Sequence, residues 1–248
     1  MIHSSKKQKA KYLFNLNKFA KKLSVFLFAI IGLFIVSLVL IYVDVIPTKN
    51  ISKSEEFSSV ALVYTPTGMG TAFKVSDSYL ITARHVIEEL EVGELVDLVF
   101  VKQNNKETQA ELYWKYDKSD VNDSFEYDFA LLKFTNPSET IDIPILNIGM
   151  SSSVGISDEV ILIGYPNGEF MYTKGAIGDD EYSNLPMFKV DASAWPGSSG
   201  APLLNADTKE VIGILVGGHS DEFQGINMAC KIDVLINTIQ TEGINIYE

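Results

Sequence analysis

Apolar residues crowd one stretch near the start of the chain and then thin into short, punctuated runs. Leu23 to Val43 is 21 residues without a charge, with Ser24, Ser37 and Tyr42 as its only polar interruptions. As a helix rising about 1.5 Å per residue it would span about 30 Å, the thickness of a bilayer's hydrocarbon core. A cleaved signal peptide has a shorter apolar region, roughly 7–15 residues, and ends in small residues. This run ends Leu40-Ile41-Tyr42-Val43-Asp44, so the pattern predicts a transmembrane signal anchor over 23–43. The polar, aperiodic residues that follow predict a short stalk over 44–56.

Beyond the stalk the pattern changes to brief segments rich in Val, Ile, Leu, Phe, Tyr and Thr, separated by turn residues. Ser59–Tyr64, Gly70–Val75, Tyr79–Thr82, Leu95–Val101, Ala110–Tyr116 and Phe129–Phe134 form one set. Glu159–Tyr165, Phe170–Ala176, Met187–Asp191, Ala201–Leu204, Val211–Val216 and Gly225–Ala229 form a second, after a connection containing Pro137 and Pro144. Two sets of about six strands predict two similar all-β units, each closing a small antiparallel barrel, over about 57–140 and 145–230. Ile232, Leu235, Ile236 and Ile239 recur at helical spacing before Gly243, which predicts a terminal helix over about 231–241 that packs on the second barrel. No repeat with a period of 20–50 residues and no low-complexity segment interrupts this plan.

Charge sharpens the topology. Lys6, Lys7, Lys9, Lys11, Lys18, Lys21 and Lys22 precede the apolar run with no acidic residue among them. This flank keeps residues 1–22 in the cytoplasm and places the rest outside. From Val45 onward 13 basic residues face 31 acidic ones, against a net −12 for the whole chain. Such an acidic body excludes nucleic acid as a partner and makes the membrane a partner only through the N-terminal helix. The lone Cys230 excludes an intrachain disulfide and reads as a buried small hydrophobe. His, Cys and carboxylates do not recur at ligand spacing, so neither a zinc site nor a cofactor is expected.

Three segments place a reactive side chain beside small residues. Leu80-Ile81-Thr82-Ala83-Arg84-His85-Val86 runs a buried strand into a turn that presents His85, and Asp128 precedes the apolar Phe129-Ala130-Leu131-Leu132. Trp195-Pro196-Gly197-Ser198-Ser199-Gly200-Ala201-Pro202 is too rich in Gly and Ser for a strand interior. A serine hydroxyl becomes a nucleophile when an imidazole takes its proton, and the imidazole works best when a buried carboxylate fixes its tautomer. Ser199, His85 and Asp128 supply one group of each kind. Gly197 and Gly200 permit a turn that aims the N–H groups of Gly197 and Ser199 at one point, an oxyanion hole. Asp117, Asp120 and Asp123 are also acidic, but Asp128 alone directly precedes a core segment. His219 reads as an exposed loop residue.

In that order, Thr82-Ala83-Arg84-His85-Val86, Asp128-Phe129-Ala130-Leu131-Leu132 and Gly197-Ser198-Ser199-Gly200-Ala201-Pro202-Leu203 resemble the His, Asp and Ser motifs of trypsin-like serine proteases. The closer similarity is to bacterial HtrA/Deg-type and glutamyl-endopeptidase-like members, over roughly 57–240. The resemblance implies a chymotrypsin-type double barrel over 57–248 with its active site between the barrels, a polypeptide substrate, and a serine endopeptidase that works through an acyl-enzyme. The α/β-hydrolase order of Ser, Asp, His does not fit, because here His comes first. Ser198 stands where cleavage-activated relatives carry Asp, which implies activity without proteolytic activation. Family enzymes wall the primary pocket with the equivalents of Ser193 and Ala194 and pair substrate with the backbone of Val216, Gly217 and Gly218. Ser193 replaces the Asp of Lys/Arg-specific members and Leu215 the His of Glu-specific ones, so cleavage after small or medium apolar residues is expected. HtrA-type members often carry a PDZ domain after the protease; no such segment is expected before Glu248. The competing reading is a catalytically silent peptide-binding module of the same fold, which would have no need of all three groups.

Overall fold

A computed structural model describes residues 55–117, 125–182, 184–218 and 225–247. The expected anchor over 23–43, its basic flank, the stalk through residue 54, and Asp120, Asp123 and His219 lie outside the described residues. Among the described residues no helix is long and apolar enough to cross a membrane.

The first six strands are β1 (Val60–Thr65), β2 (Gly68–Lys74), β3 (Tyr79–Thr82), β4 (Leu95–Phe100), β5 (Lys106–Lys115) and β6 (Ala130–Phe134). They close into an antiparallel barrel in the order β1-β2-β3-β6-β5-β4. The second six are β7 (Glu159–Gly164), β8 (Met171–Asp179), β9 (Met187–Val190), β10 (Pro202–Asn205), β11 (Val211–Gly218) and β12 (Asn227–Lys231). They close in the order β10-β11-β12-β9-β8-β7. Each expected strand has a counterpart.

The core explains why several strands read as unbroken apolar runs rather than alternating ones. In β6, Ala130, Leu132 and Phe134 fill the interior of the first barrel, while Leu131 points the other way into a cluster that joins both barrels. In β7, Val160 and Leu162 fill the second barrel, and Ile161 and Ile163 enter the shared cluster. Side chains alternate between faces with period two, and here both faces are dry. The terminal helix α2 (Ile232–Thr241), which follows the helical turn α1 (Glu55–Ser58), adds Ile232, Leu235 and Ile239 to the shared cluster. Burying each such side chain contributes about 1.5–3 kcal/mol. Gly243, at φ 75°, ends α2; its N–H donates to Gln240 O and that of Ile244 to Ile239 O, the two bonds of a Schellman cap.

Element ends differ where polar chemistry hides a strand. β5 starts at Lys106 rather than Ala110, because Lys106–Gln109 pair with β4 on a wet edge. The hairpin turn is made by Asn104 and Asn105 at φ 57° and 54°, a left-handed conformation that Asn tolerates. Lys74 is fully buried at the end of β2. Its ammonium donates to the carbonyls of Thr140 (2.8 Å) and Ile143 (3.0 Å), tying the connection between the barrels to the first of them. Burial pushes this amine below the ordinary lysine value, an effect that Asp77 partly offsets.

Candidate active site

His85 lies on the 3₁₀ turn Arg84–Ile87 directly after β3, and Asp128 lies two residues ahead of β6. The antiparallel register pairs Thr82 with Ala130, so the residues just beyond one strand meet those just before the other. The His85 backbone N–H donates to Asp128 Oδ1 (2.9 Å), and Nδ1 of the ring lies 2.6 Å from Oδ2. The carboxylate side chain is 7% exposed and the imidazole 36%, so the carboxylate is buried while part of the ring stays accessible. An imidazole held this way carries its proton on Nδ1, leaving Nε2 to accept another.

Ser199 is held between the barrels. Its carbonyl accepts the N–H of Thr71 in β2 (2.8 Å), while the next N–H, of Gly200, donates to Leu215 O in β11 (2.7 Å). Gly200 has φ 84°, and a Cβ there would lie 2.1 Å from Thr71 O and 2.6 Å from Thr82 Oγ1. No side chain fits at that position, so the Ser199 loop lies flat against the strand that leads to His85. Ser199 Oγ makes no hydrogen bond among the described residues; in ligand-free sites such bonds commonly tighten only with substrate.

The turn ahead of Ser199 has a defined hand. Ser198 N–H donates to Trp195 O (2.9 Å) across Pro196 and Gly197, with Gly197 at φ 98°. Pro then Gly with positive φ at the second corner is a type II turn. Pro196 O accepts the N–H of Asn167 (2.8 Å), and Gly197 O accepts the hydroxyl of Thr71 (2.8 Å). In a trans peptide the N–H opposes the carbonyl before it, so the Gly197 N–H points away from Asn167. Neither it nor the Ser199 N–H has an acceptor among the described residues, and two such donors on one turn can receive a developing oxyanion.

Of the residues expected to meet substrate, Ser193 is exposed, with its carbonyl taken by Thr173 Oγ1 (3.1 Å). Ala194 packs on the apolar cluster inside the second barrel, which also contains Leu215. The segment just ahead of Ser193 is pinned by Asn227 Nδ2 donating to Ala192 O (2.7 Å) and by the Ala176 N–H donating to Asp191 Oδ1 (2.6 Å). The Val216 side chain is buried in the shared cluster at a bulge in β11, so only its backbone is available to a ligand. β11 pairs with β10 no further than Ile214, whereas Gly217 and Gly218 pair with β12, which leaves one backbone edge of Val216–Gly218 open. Cys230 is buried beside Asp128, and burial together with that carboxylate raises its thiol well above the ordinary value. Among the described residues no group of His, Cys, Asp and Glu could hold a metal ion.

Thr71 and Asn167 are not singled out by the sequence. Each acts through a hydroxyl or backbone bond to a residue distant in the chain, and neither stands in a distinctive local pattern. Asn167 gives one weak signal. Tyr165-Pro166-Asn167-Gly168 has turn composition, and Asn167 adopts φ 51° there.

A family model of the trypsin-like peptidase domain matches residues 70–214. The chain belongs to that family. A probable periplasmic serine endoprotease, DegP-like, of Hahella chejuensis is 32% identical over 182 residues, covering 68% of this chain and 34% of the relative. A namesake from Pseudomonas fluorescens is 32% identical over 190 residues, covering 71% and 36%. The chain therefore spans about a third of the length of these curated relatives. Among solved structures, the HtrA-type protease AlgW with a tripeptide has a TM-score of 0.61 at 25% identity, covering 76% of this chain and 61% of that one. The serine endoprotease from Yersinia pestis has a TM-score of 0.62 at 24% identity, covering 79% and 67%, a likeness of fold.

Proposed function

We propose that this chain is a serine endopeptidase in which Ser199 is the nucleophile, His85 the general base and acid, and Asp128 the group that orients His85. The observation that carries the reading is the His85 and Asp128 pair, joined by two hydrogen bonds, together with a glycine-framed serine turn whose two N–H groups have no acceptor among the described residues. Ser199 Oγ attacks the scissile carbonyl carbon as its proton passes to His85 Nε2. The carbonyl π pair moves onto oxygen, which receives the N–H groups of Gly197 and Ser199. Collapse expels the amine with the proton from His85, leaving an acyl-enzyme. Water, deprotonated by His85, releases the carboxylic acid and restores the serine.

The open edge of Val216–Gly218 would take substrate as an added strand. Ser193, Ala194 and Leu215 bring no charge to the expected primary pocket, so cleavage after small or medium apolar residues is expected. Sequencing the products of a mixed peptide library cut by the full chain checks this. Cuts after Ala, Val or Leu are the expected result, and efficient cleavage confined to Arg, Lys or Glu contradicts it.

The lysine flank and uncharged run at 23–43 support a single-pass anchor with the N-terminus in the cytoplasm and the protease outside. The word periplasmic in the relatives' names supports the same side for the domain.

A further inference from the structure

The oxyanion turn is braced by the segment Tyr165–Asn167, and that segment is braced in turn by residues at the entrance to the domain. Tyr165 is fully buried; its N–H donates to Thr71 Oγ1 (3.1 Å), whose hydroxyl donates to Gly197 O (2.8 Å). Two residues on, the Asn167 N–H holds Pro196 O. Both peptides flanking the Gly197 turn therefore depend on where Tyr165 and Asn167 lie. A Cβ on Gly197 would meet Tyr165 O at 2.5 Å, so the turn and its brace are in van der Waals contact.

What fixes the brace comes largely from the chain before and at the start of β1. The Tyr165 hydroxyl donates to Val60 O (3.1 Å). Its ring meets the edge of Phe170 (centroids 5.8 Å apart), and Phe170 meets Phe57 (5.4 Å). Phe57 also packs edge-on against Tyr172 (5.5 Å), so it grips both residues flanking Met171. Lys102 Nζ covers Phe170 at 4.2 Å, while its carbonyl accepts Ser58 Oγ (3.4 Å), fastening the same helical turn. Phe57 is thus connected to Gly197 through two ring contacts and a short run of backbone.

We propose that Phe57 is a positioning residue for the oxyanion turn, so that the segment joining residues 1–54 to the barrels governs the fraction of enzyme with that turn formed. The inference rests on the protease reading. Losing an edge-to-face ring contact shifts such an equilibrium by roughly tenfold. Because the turn serves the transition state rather than substrate binding, the change falls on kcat.

The test uses the full chain in detergent, with Phe57→Ala and the ring-preserving Phe57→Tyr. Steady-state kinetics are measured on an apolar-site peptide, and hydrogen exchange at the Asn167 amide is followed in a Ser199→Ala background. Phe57→Ala is expected to lower kcat and to speed Asn167 exchange together, by factors whose product is roughly tenfold, with KM within twofold. Phe57→Tyr should restore both. Unchanged kcat and unchanged exchange overturn the proposal, as does a fall in kcat without faster exchange. A rise in KM at constant kcat also overturns it, making Phe57 a binding contact. Should Phe57→Ala lose its cooperative thermal transition, Phe57→Leu is judged by the same criteria. If wild type hydrolyses nothing, the protease reading fails and the exchange measurement alone decides the coupling.

Discussion

Replacing Ser199 with alanine is expected to lower turnover about 10⁶-fold while leaving the fold unchanged. The size follows from the chemistry: without Oγ no acyl-enzyme forms, and only the oxyanion donors and binding remain to speed direct attack by water. The absence of a structural cost follows from the geometry. Ser199 Oγ makes no hydrogen bond among the described residues, and the bond fixing the residue runs from Thr71 N–H to its carbonyl, which alanine keeps. Hydrolysis of a peptide substrate and thermal unfolding, measured together, check both halves. Residual activity within a hundredfold of wild type would remove Ser199 from the chemistry.

The second large effect is expected at Asp128. An asparagine there is the same size and keeps one oxygen for the His85 backbone N–H, which donates to Oδ1 at 2.9 Å. The other oxygen, 2.6 Å from Nδ1, becomes an amide N–H₂ that can only donate. Nδ1 must then accept, the ring proton moves to Nε2, and the nitrogen that should take the serine proton is blocked. Asp128→Asn is therefore expected to lower kcat about 10⁴-fold with little change in KM. A loss below tenfold would show that the close His85 contact is not what orients the base.

The strongest signals in the sequence were those with local causes. β3, β6 and β7 were visible as apolar runs because both faces of each are buried, and the cap of α2 because Gly243 needs a positive φ. Ser199, His85 and Asp128 stood out because each sits in a short motif of small or apolar neighbours. The start of β5 did not, since Lys106–Gln109 are polar residues on a wet edge and carry no hydrophobic period. Buried Lys74 contradicts the ordinary rule for lysine, and its partners, the carbonyls of Thr140 and Ile143, are more than 60 residues away. The support of the oxyanion turn was equally hidden. Thr71 Oγ1 reaches Gly197 O across 126 positions. Phe57, assigned only to the beginning of the domain, meets Phe170 and Tyr172 through tertiary packing alone. Local pattern named the candidate groups, and the long-range pairing of Thr82 with Ala130 brought His85 to Asp128.

The proposed chemistry requires that Ser199 be a nucleophile made reactive by His85. Treating the folded full chain with a fluorophosphonate and mapping the adduct by mass spectrometry tests this most directly. One adduct per chain on Ser199 is expected, absent from Ser199→Ala and strongly slowed in His85→Ala. No adduct on folded wild-type protein, or one on another residue, would contradict it.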